Sequence, residues 1–214
     1  MHSRVTVVAC PHRLPRIEFG GGLAARRTGA DTVHLVSAAA TPLGGDVIEI
    51  RLIVEPGARL TLRSAAATVV LPGATTLTSH ANWQIEAAGE LYVDLEPTIV
   101  AADARHASVT TVHLDDHGSV RLRERVQIGR TGERQGFWSG TLRVDRNHRP
   151  LLRHRMDLGA GSLSDDVLHA PRATISEFRY PAACSDAESD PRATLLALAG
   201  GGTLSTRQDE LLTT

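Results

Sequence analysis

The chain contains no lysine; all 23 of its basic residues are arginine. A P-loop sets a lysine on its nucleotide's phosphates, and a Schiff-base enzyme uses one as nucleophile, so neither activity is open to this chain. Aromatic residues make up only 3% of the sequence (Phe19, Phe137, Phe178, Trp83, Trp138, Tyr92 and Tyr180), so the core has to be aliphatic. Cysteine is limited to Cys10 and Cys184, which form neither a C-x-x-C pair nor a disulfide framework. No apolar run reaches membrane-spanning length, and the run from Val5 to Cys10 is too short for the apolar region of a signal peptide. The net charge of −1 supplies no global field toward nucleic acid or anionic lipid. These absences predict a soluble cytoplasmic protein with no nucleic-acid partner and no membrane partner.

What is present is a chain of 214 residues with 42% hydrophobic and 22% charged positions, a balance that belongs to folded rather than disordered proteins. Two-residue alternation recurs along it, and long helical periodicity is missing. A first strand is predicted over Thr32–Ala38, followed by the turn Thr41-Pro42-Leu43-Gly44-Gly45. From Asp46 to Val54 the alternation puts Ile48, Ile50, Leu52 and Val54 on one face. Pro56-Gly57 is a turn, Leu60 and Leu62 resume, and Ala65–Val70 is apolar on both sides, as in a fully buried strand. Further strands are predicted over Ala81–Ala87, Leu91–Leu95, Val109–Leu114 and Val120–Ile128, with a hairpin turn at Asp115-Asp116-His117-Gly118. A last pair surrounds Asn147-His148.

Helix signals lie near the end. Asp190 can cap and Pro191 suits a first helical position, so a short helix is predicted over Ala193–Ala199, with a second near Ser164–His169 and a loop over Ala182–Asp190. No internal repeat is visible. The pattern predicts a single all-β domain over residues 1–214, β-helical or sandwich-like, with many short strands. Residues 181–214 form a loop plus a short helical tail.

Three ionisable residues break the pattern. Residues two apart in a strand share a face. Glu124 falls in phase with Val120, Leu122, Val126 and Ile128; Asp46 precedes Ile48 in phase; His154 falls in phase with Leu152, Met156 and Leu158. Burying an unpaired carboxylate costs several kcal/mol or neutralises it. Each needs a reason: an arginine partner such as Arg130 for Glu124, a capped turn for Asp46, or a hydrated interior shared by all three.

Familiar catalytic motifs are missing: no G-x-S-x-G, no H-E-x-x-H, no G-x-G-x-x-G opening a helix. His113 and His117 have metal-like spacing but straddle a turn, and read as solvated loop histidines. Cys10-Pro11-His12 offers only two metal-binding side chains. Gly20-Gly21-Gly22 and Gly200-Gly201-Gly202 read as turns rather than phosphate cradles.

The run Thr41-Pro42-Leu43-Gly44-Gly45-Asp46, then Pro56-Gly57-Ala58, resembles the Gly-Gly-Asp signature of the urease accessory protein D family. Ala67-Thr68 sits where that family has Ala-Ser or Ala-Thr, and Leu95-Glu96-Pro97-Thr98-Ile99 is similar to its Leu-Pro-x-x-x-Ile segment. Glu124, Gly129-Arg130, Phe137 and Gly140 follow its acidic-x4-Gly-Arg-x6-Phe-x2-Gly block, and Arg149-Pro150-Leu151-Leu152 its next turn. The matches run in order from Val33 to Leu158. Departures are Val69 in place of a lysine, Arg134-Gln135 in place of Gly-Glu, His154 in place of an acid, and a short form lacking the usual helical C-terminal tail.

The resemblance implies a largely β fold without a reaction of its own. It implies a hetero-oligomer with the urease structural subunits and with accessory proteins F and G. No permanently bound cofactor is expected, only transient passage of Ni²⁺ through a water-filled interior toward urease. Carried over by position, Asp46, Glu124 and Thr68 are the passage residues, with His154 as a further donor when neutral. The alternative is a β-fold hydrolase or isomerase using Glu124 and His154 as acid and base.

Overall fold

A computed structural model describes residues 1–163, 171–182 and 192–212. Its first strands are β1 (His2–Ala9), β2 (Arg16–Gly20), β3 (Leu23–Arg27), β4 (Thr32–Ser37), β5 (Val47–Val54) and β6 (Arg59–Ser64). Next come β7 (Thr68–Val70), β8 (Thr78–Ala87), β9 (Glu90–Asp94), β10 (Thr98–Val100), β11 (Arg105–Leu114) and β12 (Ser119–Ile128). The last are β13 (Phe137–Arg146), β14 (Arg149–Gly159), β15 (Ala173–Tyr180), β16 (Thr194–Ala197) and β17 (Thr203–Asp209).

Two sheets hold them. One runs β14-β13-β11-β8-β5-β1-β2, and the other β16-β17-β15-β12-β9-β6-β4-β3 with β7 and β10 attached beside β12. The central neighbours of both sheets are parallel. Antiparallel strands occur only toward the edges. The chain alternates between sheets, from β5 to β6, on to β8 and β9, then β11, β12 and β13, so it winds as a solenoid. Each circuit takes about thirty residues, within the period of repeat architectures. A structural repeat is therefore present where no sequence repeat is visible. Ile48, Ala81, Ser108 and Gly140 occupy equivalent positions on successive strands while sharing no side-chain type. A strand position fixes only which way a side chain points.

Inward residues of the two sheets meet in an aliphatic core that includes Val5, Leu52, Leu60, Leu62, Ile85, Leu91 and Val112. A second cluster, with Val70, Val100, Val126, Ile128, Trp138 and Leu158, packs under the narrow parallel wall of β7, β10 and the end of β12. Each fully buried Leu, Ile or Val contributes roughly 1.5–3 kcal/mol relative to exposure, which suits a core with few aromatics.

The all-β class is as expected, and the C-terminal helix is not. Thr194–Ala197 is strand β16, paired antiparallel with β17, rather than part of a helix over Ala193–Ala199. A helix this short is marginal alone, and a neighbouring strand offers hydrogen bonds it cannot match. The expected cap residues Asp190 and Pro191, the helix near Ser164–His169 and all of the expected loop Ala182–Asp190 except Ala182 lie outside the described residues. Ala65–Val70 is not a buried strand: Ala65–Ala67 make an exposed corner, and only Thr68–Val70 pair. β1–β3 precede the first predicted strand. Among the described residues no helix is long and apolar enough to cross a membrane.

Candidate functional site

The solenoid does not close on itself everywhere. At one level of the circuits the inward side chains are small: Ala81, Ser108 and Gly140 on one sheet, with Thr68 and Thr98 on the narrow wall opposite. They leave a cavity of about 290 Å³, with walls contributed by strands from β3 (Leu23) to β17 (Leu204). One water needs about 10–15 Å³ of such space, so the cavity has room for many.

Glu124 lies in the wall of this cavity, where β12 changes neighbours. Up to Arg123 the strand pairs with β9, and from Val126 it pairs with β10. Among the described residues no hydrogen bond or ion pair reaches the Glu124 carboxyl. Arg130 is engaged elsewhere, its Nε donating to Glu133 Oε1 at 2.9 Å. Arg125, itself one of the residues around the cavity, is engaged with Asp94, donating to its Oδ1 at 3.0 Å. Glu124 is half-buried by exposed area because the cavity reaches it, yet protein surrounds it on every side. Burial without a compensating cation pushes its carboxyl up to about 7.

His154 and Thr68 line the same cavity. His154 sits on β14 beside Leu142, and burial lowers its pKa. Thr68 opens β7 beside Thr98.

Asp46 is placed differently. It is buried but is not one of the residues lining the cavity. Its Oδ2 accepts from Thr41 Oγ1 at 2.8 Å and from Leu43 N–H at 2.9 Å, and its Oδ1 accepts from the terminal ammonium of Met1. Burial by itself raises this carboxyl, but the bonds from Leu43, the terminal ammonium and Thr41 outweigh it and hold the group below the usual carboxylate range. The carboxylate thereby fixes the turn whose Thr41 and Pro42 do line the cavity. The two glycines before it have separate reasons. A Cβ on Gly44 would stand 1.8 Å from the Thr76 carbonyl oxygen, and Gly45 has a φ of +91°.

A further ionisable wall residue, His106, escaped the sequence reading. On β11 it is in phase with Ser108, Thr110, Val112 and Leu114, and of these inward positions His106, Ser108 and Thr110 face the cavity. The signal was the same polar break in an apolar phase, hidden because the strand was expected to begin at Val109 rather than Arg105. His106 Nδ1 lies 2.9 Å from the hydroxyl of fully buried Ser79. Burial, reinforced by nearby His80, pushes the His106 pKa down to about 4.

Among the described residues no group of three or more His, Cys, Asp or Glu side chains converges as a metal cage. Glu124, His154 and His106 are spaced around one cavity instead. His113 and His117 are exposed, and neither faces the cavity.

A family model described as UreD urease accessory protein matches residues 21–182. Urease accessory protein UreD 1 of Saccharopolyspora erythraea is 37% identical over 195 residues, covering 86% of this chain and 74% of that protein. Urease accessory protein UreD of Frankia alni is 47% identical over 116 residues, covering 53% of this chain and 39% of its own length. That of Streptomyces coelicolor is 36% identical over 168 residues, covering 75% of this chain and 61% of its own length.

Proposed function

The chain belongs to the UreD urease accessory protein family, and on that premise we propose that it is a non-catalytic scaffold of urease maturation through which nickel moves toward apo-urease. On this reading it binds the urease structural subunits on one side and accessory proteins F and G on the other, as a cytoplasmic hetero-oligomer. The observation that carries the proposal is the cavity, with the unpaired Glu124 in its wall. A carboxyl that no cation among the described residues pairs with is free to meet a passing one, and Ni²⁺ accepts oxygen and imidazole ligands together. Glu124 and His154 are the contact residues, Thr68 offers a hydroxyl opposite, and Asp46 acts by holding the turn at the cavity wall.

The test is urease activation at limiting nickel with Glu124→Ala. Co-purification with the urease subunits is expected to persist while activation falls several-fold. Full activation by this variant, at normal complex yield, would remove the passage from the reading.

One observation favours a second reading, a hydrolase or isomerase. Glu124 and His154 share a cavity, and both have shifted pKa values, as an acid and base must. A second substitution at Glu124 separates the two. An acid–base pair predicts that Glu124→Gln abolishes a turnover measurable without urease present.

A further inference from the structure

We propose that His106 is an additional inner ligand for the moving cation, and that Ser79 is its positioning residue. The inference rests on the passage reading above and adds to it a donor that neither the motif nor the family match marks.

His106 is buried in the protein but faces the cavity, and only one of its two ring nitrogens is engaged. Nδ1 meets the Ser79 hydroxyl at 2.9 Å; among the described residues no group bonds to Nε2. Ser79 is 0% exposed, and its backbone is held between the Asp46 turn, which accepts from His80 N–H at 2.9 Å, and β11. The hydroxyl therefore cannot leave the ring for water. It can only rotate, and it both donates and accepts. When it accepts from Nδ1–H, the Nε2 lone pair is left bare toward the cavity, which is the form a borderline metal ion requires of an imidazole. Fixing one ring nitrogen so that the other is presented in a single tautomer is the usual way a protein prepares a metal-binding histidine.

The neighbours agree with this role. Trp138 pairs in register with His106 on the far side and is 2% exposed, so the ring is sandwiched between strands rather than free to swing. Among the described residues no carboxylate pairs with His106, so none of them ties the imidazole up as a structural ion pair. Together with Glu124 and His154 it gives the cavity three spaced donors, one oxygen and two nitrogen, on β11, β12 and β14.

The experiment uses the full chain with ring-¹⁵N histidine, titrated with NiCl₂ at neutral pH and followed by imidazole NMR. Ten histidines give separate signals, and assignment follows from single His→Gln variants. Before nickel, the Ser79-bound ring is expected to be neutral. On adding substoichiometric Ni²⁺, the His106 and His154 signals should broaden before those of exposed histidines such as His117. Ser79→Ala should leave the fold intact by thermal melting yet weaken nickel binding roughly tenfold or more, the scale of lost outer-shell partners. His106→Gln should weaken it further. If His154 broadens while His106 stays sharp, or if His106→Gln binds nickel unchanged, His106 is no ligand and the passage stands without it. If neither cavity histidine broadens while the exposed ones do, the passage reading fails and this inference with it.

Discussion

Glu124 is a carboxyl that no positive charge among the described residues meets, and its proton is the natural consequence. In the unfolded chain it titrates near 4.5, and in the fold near 7. A raised carboxyl pKa means that the folded protein keeps a proton that the unfolded chain gives up. The stability this contributes is whole below pH 4.5 and is lost as pH rises through about 7. The gap corresponds to roughly 3 kcal/mol at one pKa unit per 1.36 kcal/mol. Glu124→Gln, which cannot ionise, is therefore expected to match the parent chain near pH 4.5 and to exceed it by up to about 3 kcal/mol at pH 8.5. Urea unfolding at the two pH values reads this directly, and an equal offset at both would mean that Glu124 titrates as an exposed acid. The phase-breaking position of this residue was legible in the sequence; the absence of a partner was not. Which arginine reaches which acid depends on strand register: Arg130 turns to Glu133 and Arg125 to Asp94, a choice no linear pattern records.

A single strand, β13, shows how the cavity wall is shaped. Its inward positions run Trp138, Gly140 and Leu142, and a Cβ built on Gly140 would lie 2.1 Å and 2.2 Å from Cη2 and Cζ2 of the Trp138 indole. The indole thus lies flat over the place where the next side chain would begin. Gly140→Ala is expected to cost about 1–3 kcal/mol by overpacking, and to drive the indole off the wall into the cavity. In a Trp83→Phe background, where Trp138 is the sole tryptophan, its emission should shift to longer wavelength and the melting temperature should fall. An unshifted emission maximum would mean that the strand, not the ring, gives way. Elements of this kind were legible where alternation was clean: β5, β9, β12 and β14 were read with their inward faces correct. Legibility failed where a local preference met a tertiary competitor. Thr194–Ala197 pairs with β17 instead of coiling, and Ala65–Ala67 turn a corner that their apolar character disguised as a buried strand.

At the scale of the whole molecule, the solenoid decides where a cavity can exist. Circuits stack equivalent inward positions in rows, so each row is closed or open along its length according to side-chain size. The row Leu52, Ile85, Val112, Val144 and Leu152 faces Leu60, Leu91 and Val120, and these positions are buried and dry. The row Ile48, Ala81, Ser108 and Gly140 faces Thr68 and Thr98 and stays open. The opening is thus a property of residue volume at one level of the coil, not of any motif, and it can be closed from within. Ser108→Leu places a branched apolar side chain in the middle of that row, where the structure has space rather than contact. Stability should change by no more than about 1–3 kcal/mol, since the added atoms enter a void instead of a packed core. The outer faces of both sheets, and with them any surface offered to urease, are left as they were. Co-purification with the urease subunits is accordingly expected to persist, while activation at limiting nickel falls as steeply as with Glu124→Ala and recovers in part when nickel is supplied in excess. Activation at the parent rate with the row filled would place the route of the metal outside the solenoid, however well Glu124 is positioned to meet it.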